Sequence, residues 1–166
     1  MYHIHSKGDK MNTFDIIRVI AMSEPTAIAH IQGSDVNGKF LAFPYSTGSI
    51  VVACADGLPD TGCHLGIHGF HIHEGTSCAT QDGKPFGASG GHLNLTGCQH
   101  PYHTGDLPPL FSDEGKAWMA VYTSRFTPEE VIGRTVIIHS HADDFVSQPA
   151  GDSGNKIACG VIMAPY

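Results

Sequence analysis

The sequence is poor in charged residues, above all in positive ones. Only 15% of its 166 residues are charged, and 9 Lys and Arg stand against 16 Asp and Glu, a net charge of −7 with histidine neutral. This balance argues against binding to nucleic acid or to an anionic membrane. No apolar run is long enough to span a bilayer, and residues 1–15 lack the apolar segment of a signal peptide. The chain as written is therefore predicted to be cytoplasmic, or extracytoplasmic if a signal segment is missing.

Long helical patterns are also scarce, whereas 20 Gly and 10 Pro favour a fold rich in turns. Short apolar runs alternate with clusters of Gly, Asn, Asp, Ser and Pro, a pattern typical of an antiparallel sandwich or barrel. The predicted strands cover residues 27–31, 39–45, 49–55, 67–73, 116–123, 135–139 and 157–163. A short helix is predicted after Thr127, with Pro128 in its first turn. We therefore predict an all-β fold of about eight strands.

Two segments, residues 74–109 and 140–156, are too long and irregular for hairpins, and ordered loops of that length are usually functional. The chain length fits one domain. Residues 1–24 are predicted to be an N-terminal extension, partly disordered, with His3 and His5 in a frayed tail. Residues 25–166 are predicted to form the β domain.

Histidine is the residue type present in excess, with twelve copies. His71 and His73 flank Ile72 in a predicted strand, and alternate side chains of a strand share a face, so the two rings point the same way. Neutral imidazole binds copper, zinc, iron and nickel. The pair is therefore half of a predicted metal site.

The loop that follows supplies further metal ligands. His92, His100, His103 and Asp106 give three imidazoles and one carboxylate, a set that tetrahedral zinc accepts. His139, at the end of another predicted strand, adds an imidazole from a distant part of the chain. Separate segments could thus converge on metal ions.

Six segments resemble the copper/zinc superoxide dismutase family, in the same order and over roughly residues 27–162. They are Gly69–Glu74, Gly90–His92, His103–Leu107, Gly133–His139, Ala142–Asp144 and Ala158–Ile162. The resemblance implies a Greek-key β-barrel for residues 25–166, with the segments 74–109 and 140–156 as its two functional loops. It also implies that superoxide anion is converted to dioxygen and hydrogen peroxide at a copper centre beside a mainly structural zinc.

The resemblance also implies roles for individual residues. The implied copper ligands are His71, His73, His92 and His139. The implied zinc ligands are His92, His100, His103 and Asp106. His92 would bridge the two metals and carry a proton during turnover, Asp143 would hold one ligand of each metal, and His68 would make a structural hydrogen bond. Cys78 and Cys159 would form a disulfide.

Lys156 stands where the family has an arginine that attracts superoxide. Lysine is a flexible point charge, whereas arginine presents a rigid, permanently charged fork. Lys156 is therefore predicted to attract the anion beside the copper, but with poorer orientation. We expect superoxide dismutase activity at a lower rate than an arginine would allow.

Three residue assignments stay open at this point. Only two residues separate His100 from His103, fewer than the family usually has, so His100 could instead be a solvent-facing loop residue. His141, two residues after His139, is a rival copper ligand. Cys63 and Cys98 are either two unrelated thiols or a second disulfide that compensates for the shortened loop.

The function also has alternatives. A protein that binds copper and zinc without significant turnover could use the same scaffold, because fold does not fix function. A copper-only dismutase with a defunct zinc site is the other alternative, since the segment between the implied zinc ligands His100 and His103 is short. A homodimer is compatible with the sequence, which does not select a pairing surface.

Overall fold

The structure is a computed structural model and describes residues 12–59 and 66–165. Its nine strands are β1 Ala27–Gly33, β2 Asn37–Tyr45, β3 Gly48–Asp56, β4 Gly66–His68, β5 Phe70–His73, β6 Leu110–Asp113, β7 Lys116–Thr123, β8 Thr135–His139 and β9 Lys156–Val161. The helices are α1 Thr13–Met22 and α2 Pro128–Val131, with a 3-10 turn at Gly87–Ser89. Neighbouring strands pair antiparallel throughout the sheet. The prediction of an all-β fold is confirmed.

Gly69 is the point at which the sheet closes into a barrel. The strand order is β4-β6-β7-β3-β2-β1-β9-β8-β5, so β4 and β5 lie at opposite edges although one residue separates them. The edges therefore meet at Gly69, whose N–H donates to the carbonyl of His141 at 2.7 Å and whose carbonyl accepts from the N–H of His139 at 2.9 Å. A Cβ at this position would lie 2.7 Å from Ser153 Oγ, so the close approach favours glycine.

Alternation along the strands separates the barrel interior from its outer face. Phe70 and Ile72 of β5 point inward and are fully buried, in a core that also contains Phe40, Val136 and Ile138. His71 and His73 therefore lie on the outer face. They are buried all the same, because the β5–β6 and β8–β9 connections, the two long loops of the sequence, pack over this face.

Helix α1 lies on another part of the outer face. Asn12 caps the helix, its Oδ1 accepting from the N–H of Phe14 at 3.1 Å, and Asp15 completes a capping box. The helix buries Val19 against Phe43, Tyr45, Ile50 and Val52 of β2 and β3. The sequence did not predict this helix within the extension 1–24. Residues 1–11, with His3 and His5, lie outside the described part of the chain.

Two strands also differ from the prediction. The expected strand 67–73 is divided at Gly69 into β4 and β5, because its halves pair with β6 and β8 at opposite edges. Strand β6 was not predicted, since its four residues Leu110–Asp113 are too few for a clear alternation. Helix α2 begins after Thr127 as expected, and Thr127 and Glu130 form a capping box. Within the described residues, no helix has the length and apolar character needed to cross a membrane.

Candidate metal centre

The first group of candidate ligands lies on the outer face of β5 and β8. His71 and His73 come from β5, His139 from the end of β8, and His92 from the loop after β5. All four side chains are buried, and one nitrogen of each lies within 4.8 Å of those of the others. We call these four residues the copper group.

Each ring of the copper group has one nitrogen bound to the protein. His71 Nε2 lies 2.7 Å from Asp143 Oδ2, and His73 Nδ1 lies 2.9 Å from the carbonyl of Gly90. These acceptors fix the tautomers, so that His71 presents Nδ1 and His73 presents Nε2 to the group. His73 Nε2 lies 3.3 Å from His139 Nε2, which places two nitrogen atoms around a common point.

The second group lies entirely in the β5–β6 loop. Its members are His92, His100, His103 and Asp106, and their ligand atoms again lie within 4.8 Å of one another. All four are buried. Asp106 Oδ1 lies 2.7 Å from His92 Nδ1, and Asp106 Oδ2 lies 3.1 Å from His100 Nδ1. We call these four residues the zinc group.

His92 belongs to both groups and is the geometric link between them. Its Nδ1 faces Asp106 in the zinc group, while its Nε2 is buried without a hydrogen-bond partner. The ring centroid of His92 lies 4.0 Å from that of His71. A single imidazole is therefore placed to bind one ion through each nitrogen.

Asp143 connects the two groups, because its carboxylate contacts one imidazole ring of each. Its Oδ2 lies 2.7 Å from His71 Nε2 and its Oδ1 lies 2.9 Å from His100 Nε2. The same Oδ1 accepts from the N–H of Phe145 at 2.7 Å. One carboxylate thus orients a ring of each group, the kind of support that raises ligand basicity and fixes ring geometry.

The pKa values follow from burial and these hydrogen bonds. Burial lowers the pKa of His71, and it places the pKa of His73 well below the ordinary value for histidine. Burial also lowers the pKa of His139 to about 3. Burial would raise the pKa of Asp143, but hydrogen bonds from His71, Phe145 and His100 outweigh it and lower the pKa to about 2. Neutral imidazoles beside ionised carboxylates are the ligand forms that metal ions need.

The pKa of the Asp106 carboxyl is set by the same two effects as that of Asp143. Burial would raise its pKa, whereas hydrogen bonds from His92 and from the N–H of His103 lower it to about 2. The carboxylate is therefore ionised over the whole physiological range. It supplies the negative charge of the zinc group.

The donor set fits two bound cations. Within the two groups, four buried imidazole nitrogens have no hydrogen-bond partner: His71 Nδ1, His92 Nε2, His100 Nδ1 and His103 Nδ1. Leaving one such atom unsatisfied costs about 1–3 kcal/mol. Imidazole nitrogens suit copper, and three imidazoles with one carboxylate suit tetrahedral zinc. Metal ions at the two groups would satisfy all four atoms.

Cavities flank the two groups. One of about 360 Å³ reaches His139 between Ser147 and Gly154 of the β8–β9 loop. Another of about 550 Å³ lies beside Asp106 and Asp143, with Arg125 in its wall. The first gives small molecules a path towards the copper group.

Lys156, the first residue of β9, lies beside the copper group. Its backbone is paired with that of His139. Its Nζ donates to Ser89 Oγ and to the carbonyl of Gly90, both at 2.7 Å. Burial, and then the charge of Lys84, lower the pKa of Lys156.

The disulfide and the buried structural histidine are also present. Cys78 and Cys159 are bonded and tie the β5–β6 loop to β9 across 81 residues of sequence. His68 is buried, and its Nδ1 lies 3.0 Å from the carbonyl of His139. His68 therefore holds β4 against the strand that carries a candidate copper ligand.

The open residue assignments can now be placed in the structure. His100 is buried in the zinc group and is not a solvent-facing residue. His141 is exposed and lies outside both groups. Cys54 and Cys98 are both exposed, and neither is bonded to another cysteine of the described residues. The predicted pairing of Cys98 with Cys63 stays a prediction, because Cys63 lies outside the described residues.

The part of the β5–β6 loop from His92 to Asp106, here called the zinc loop, is held by contacts from other segments that the sequence did not predict. Arg125 Nη1 donates to the carbonyls of Asp106 at 2.7 Å and His103 at 3.3 Å. Gln148 pairs with the backbone of His100 through both its oxygen and its nitrogen. No motif signals such contacts, since each joins residues that are far apart in the chain.

Comparison with known proteins shows that the chain belongs to the copper/zinc superoxide dismutase family. The family profile described as copper/zinc superoxide dismutase matches residues 36–162. The superoxide dismutase (Cu-Zn) of Deinococcus radiodurans is 34% identical over 164 residues, which cover 86% of this chain and 87% of that protein. The superoxide dismutase (Cu-Zn) of Actinobacillus pleuropneumoniae is 31% identical over 175 residues, covering 96% and 87%.

A solved structure shares the fold. The clock protein EA4 superposes with a TM-score of 0.72 at 27% identity, over 87% of this chain and 98% of that chain. The Greek-key β-barrel and the use of copper and zinc, both predicted from the sequence, are thereby confirmed for this chain.

Proposed function

We propose that this protein disproportionates superoxide, with copper held by His71, His73, His92 and His139 and zinc held by His92, His100, His103 and Asp106. The observation that carries the proposal is the position of His92 in both groups, with Nδ1 towards Asp106 and Nε2 buried and unpartnered. A site for a single ion needs no such shared ring. The complete and buried zinc group argues against the copper-only alternative.

Bound copper would supply a one-electron redox couple, and bound zinc a fixed positive charge. Two superoxide anions and two protons then give one dioxygen and one hydrogen peroxide. His92 Nε2 is the atom placed to take up a proton and pass it to the product, because Nδ1 stays fixed in the zinc group. Asp143 keeps the rings of His71 and His100 in place while charge changes beside them.

Lys156 is proposed to attract the anion. Its ammonium group lies beside the copper group, and superoxide is a small monoanion that a point charge can attract. Since lysine lacks the planar fork of arginine, the orientation of the anion is expected to be weaker.

Superoxide decay after rapid mixing tests this proposal. With free copper removed by a chelator, the copper- and zinc-loaded protein should accelerate superoxide decay far beyond the metal-free protein, and its kcat/KM should fall as ionic strength rises. Lys156→Gln should lower kcat/KM about tenfold, in line with the loss of local steering. Lys116→Gln is the matched control, an exposed lysine on β7 that makes no contact with either group.

With free copper chelated and both ions bound to the protein, a rate no higher than that of the metal-free protein would contradict the proposal. That result would favour the alternative of metal binding without turnover. Equal effects of Lys156→Gln and Lys116→Gln would contradict the role of Lys156 alone.

A further inference from the structure

Lys156 is held by the protein through two of its three ammonium N–H groups. Nζ donates to Ser89 Oγ and to the carbonyl of Gly90, each at 2.7 Å. An ammonium group has three donors and no acceptor, so one N–H remains. The side chain is half-buried, which leaves that N–H a path to solvent and to a small anion.

Ser89 is committed to this contact by its own surroundings. The residue is fully buried at the end of the 3-10 turn Gly87–Ser89, and its hydroxyl donates to the carbonyl of Phe86 at 2.8 Å. Because the hydroxyl proton is used there, Oγ meets the ammonium group of Lys156 as an acceptor. A hydroxyl polarised in this way binds a cation better than a free one.

The turn that carries Ser89 is itself fixed. Gly75 N–H donates to the carbonyl of Ser89 at 2.7 Å, and a Cβ at Gly75 would lie 2.6 Å from Ser89 Cα. The Cys78–Cys159 disulfide joins the same loop to β9, three residues beyond Lys156. The acceptor and the lysine are therefore held on two segments that are covalently linked.

The Gly90 carbonyl connects this contact to the copper group. It accepts from Lys156 Nζ at 2.7 Å and from His73 Nδ1 at 2.9 Å, and a carbonyl oxygen has two lone pairs for this purpose. The ammonium group and a candidate copper ligand are thus fixed to the same atom. Any shift of the lysine away from Gly90 would change its distance from the copper group.

We infer that Ser89 is a positioning residue for Lys156: its buried hydroxyl and the Gly90 carbonyl hold the ammonium group beside the copper group with one N–H free for the anion. The inference rests on the proposed function for its consequence, but not for the contact itself. It gives a physical reason why a lysine can replace an arginine here. The flexible stem loses its freedom to two fixed acceptors, whereas a guanidinium is rigid on its own.

The contact can be tested without measuring activity. In the protein loaded with zinc and reduced copper, nitrogen-15 NMR should show a lysine ammonium signal that is protected from exchange and vanishes in Lys156→Gln. Ser89→Ala should abolish or broaden that signal. The matched control is Ser77→Ala, a half-buried serine of the same loop whose Oγ accepts from the N–H of Ala79 instead. Ser89→Gly serves as a second variant, because it removes the hydroxyl together with its Cβ.

A double-mutant cycle tests the consequence for turnover. Ser89→Ala should lower kcat/KM for superoxide about three- to tenfold and flatten its dependence on ionic strength, as expected for losing a hydrogen bond to a charged group. In the Lys156→Gln background the same change should have little effect.

Two results would overturn the inference: an ammonium signal of Lys156 that is unchanged in Ser89→Ala and Ser89→Gly, or an equal loss of kcat/KM with and without the lysine. The second would mean that Ser89 only stabilises the loop. Failure of the proposed function is distinguishable from both, because the wild-type protein would then show the protected ammonium signal without turnover.

Discussion

The copper group and the zinc group share an imidazole but are built in different ways. Three members of the copper group, His71, His73 and His139, stand on paired strands of the barrel. The zinc group lies wholly in the β5–β6 loop, between His92 and Asp106. A strand fixes its side chains through the backbone ladder, whereas a loop depends on contacts from elsewhere in the molecule.

The zinc loop receives those contacts from three residues of two other segments. Asp143 and Gln148 of the β8–β9 loop hold the ring and the backbone of His100. Arg125, in the β7–α2 connection, holds the carbonyls of His103 and Asp106. The comparison therefore predicts that the zinc group loses its metal first when contacts from outside the β5–β6 loop are removed. For the copper group, it predicts that the burial of neutral imidazole rings sets the stability of the metal-free protein.

Acidification of the metal-free protein tests the copper side of this comparison. Burial lowers the pKa of His139 to about 3, so between pH 6.5 and 3 the unfolded chain binds a proton at this ring that the folded chain does not. The contribution of the neutral His139 ring to stability is therefore fully present above pH 6.5 and is lost as pH falls. For His139 alone the loss is about 4 kcal/mol between pH 6.5 and 3.5. His71 and His73, with pKa values also lowered by burial, add to the loss.

Chemical denaturation of the metal-free protein at several pH values would measure this slope. His139→Gln should reduce it by about one proton, or about 1.4 kcal/mol per pH unit. His30→Gln, at an exposed position of β1, is the control and should leave it unchanged. A stability that does not vary between pH 6.5 and 4.5 would contradict the buried, neutral state of these rings.

The disulfide is the next largest effect, and it acts on the loop that serves both groups. Cys78 and Cys159 close a loop of 81 residues, for which the chain-entropy model gives about 4–5 kcal/mol. Cys78→Ser should lower the free energy of unfolding by that amount and weaken metal retention at both groups, because the loop carries His92. Cys54→Ser, at an exposed cysteine outside this disulfide, should change stability by less than about 0.5 kcal/mol. Equal stabilities of the two variants would show that the β5–β6 loop does not need its covalent tie.

The contrast between the groups also explains what could be predicted from the sequence. His71 and His73 could be placed on one face because a strand has a fixed period of two, and that local rule survives in the folded protein. The division of their strand at Gly69 could not, because it depends on which distant strand each half pairs with.

The zinc side was predictable only in part. His92, His103 and Asp106 were found through residue type and family resemblance, but the burial of His100 depends on Asp143 and Gln148, which lie more than 40 residues away. Arg125 was missed for the same reason. Contacts between a side chain and a distant backbone carbonyl leave no pattern in the sequence, since almost any residue can supply the carbonyl.

Asp143→Asn should affect the metal affinities of the two groups to different extents. The amide keeps one acceptor but puts an N–H₂ where the second imidazole N–H needs an oxygen, so the ring of His71 or His100 loses its partner. Zinc affinity should fall about 10- to 100-fold, the usual effect of losing such a support, and copper affinity should fall less. Competition with a chelator would measure both, with Asp144→Asn, at the exposed neighbouring residue, as the control. A larger loss of copper than of zinc would contradict the comparison.

Arg125→Gln is the smallest and most selective change. Its guanidinium donates to two carbonyls of the zinc loop from an exposed position, so its loss should cost about 1 kcal/mol and speed zinc release about three- to tenfold. Arg134→Gln is the matched control, because Arg134 also donates to a backbone carbonyl, that of Glu74 at the end of β5. If both variants release zinc at the wild-type rate, the loop holds its own shape and needs no contact from the β7–α2 connection. If only Arg125→Gln releases it faster, the zinc group depends on a residue that binds no metal, as a site built on a loop requires.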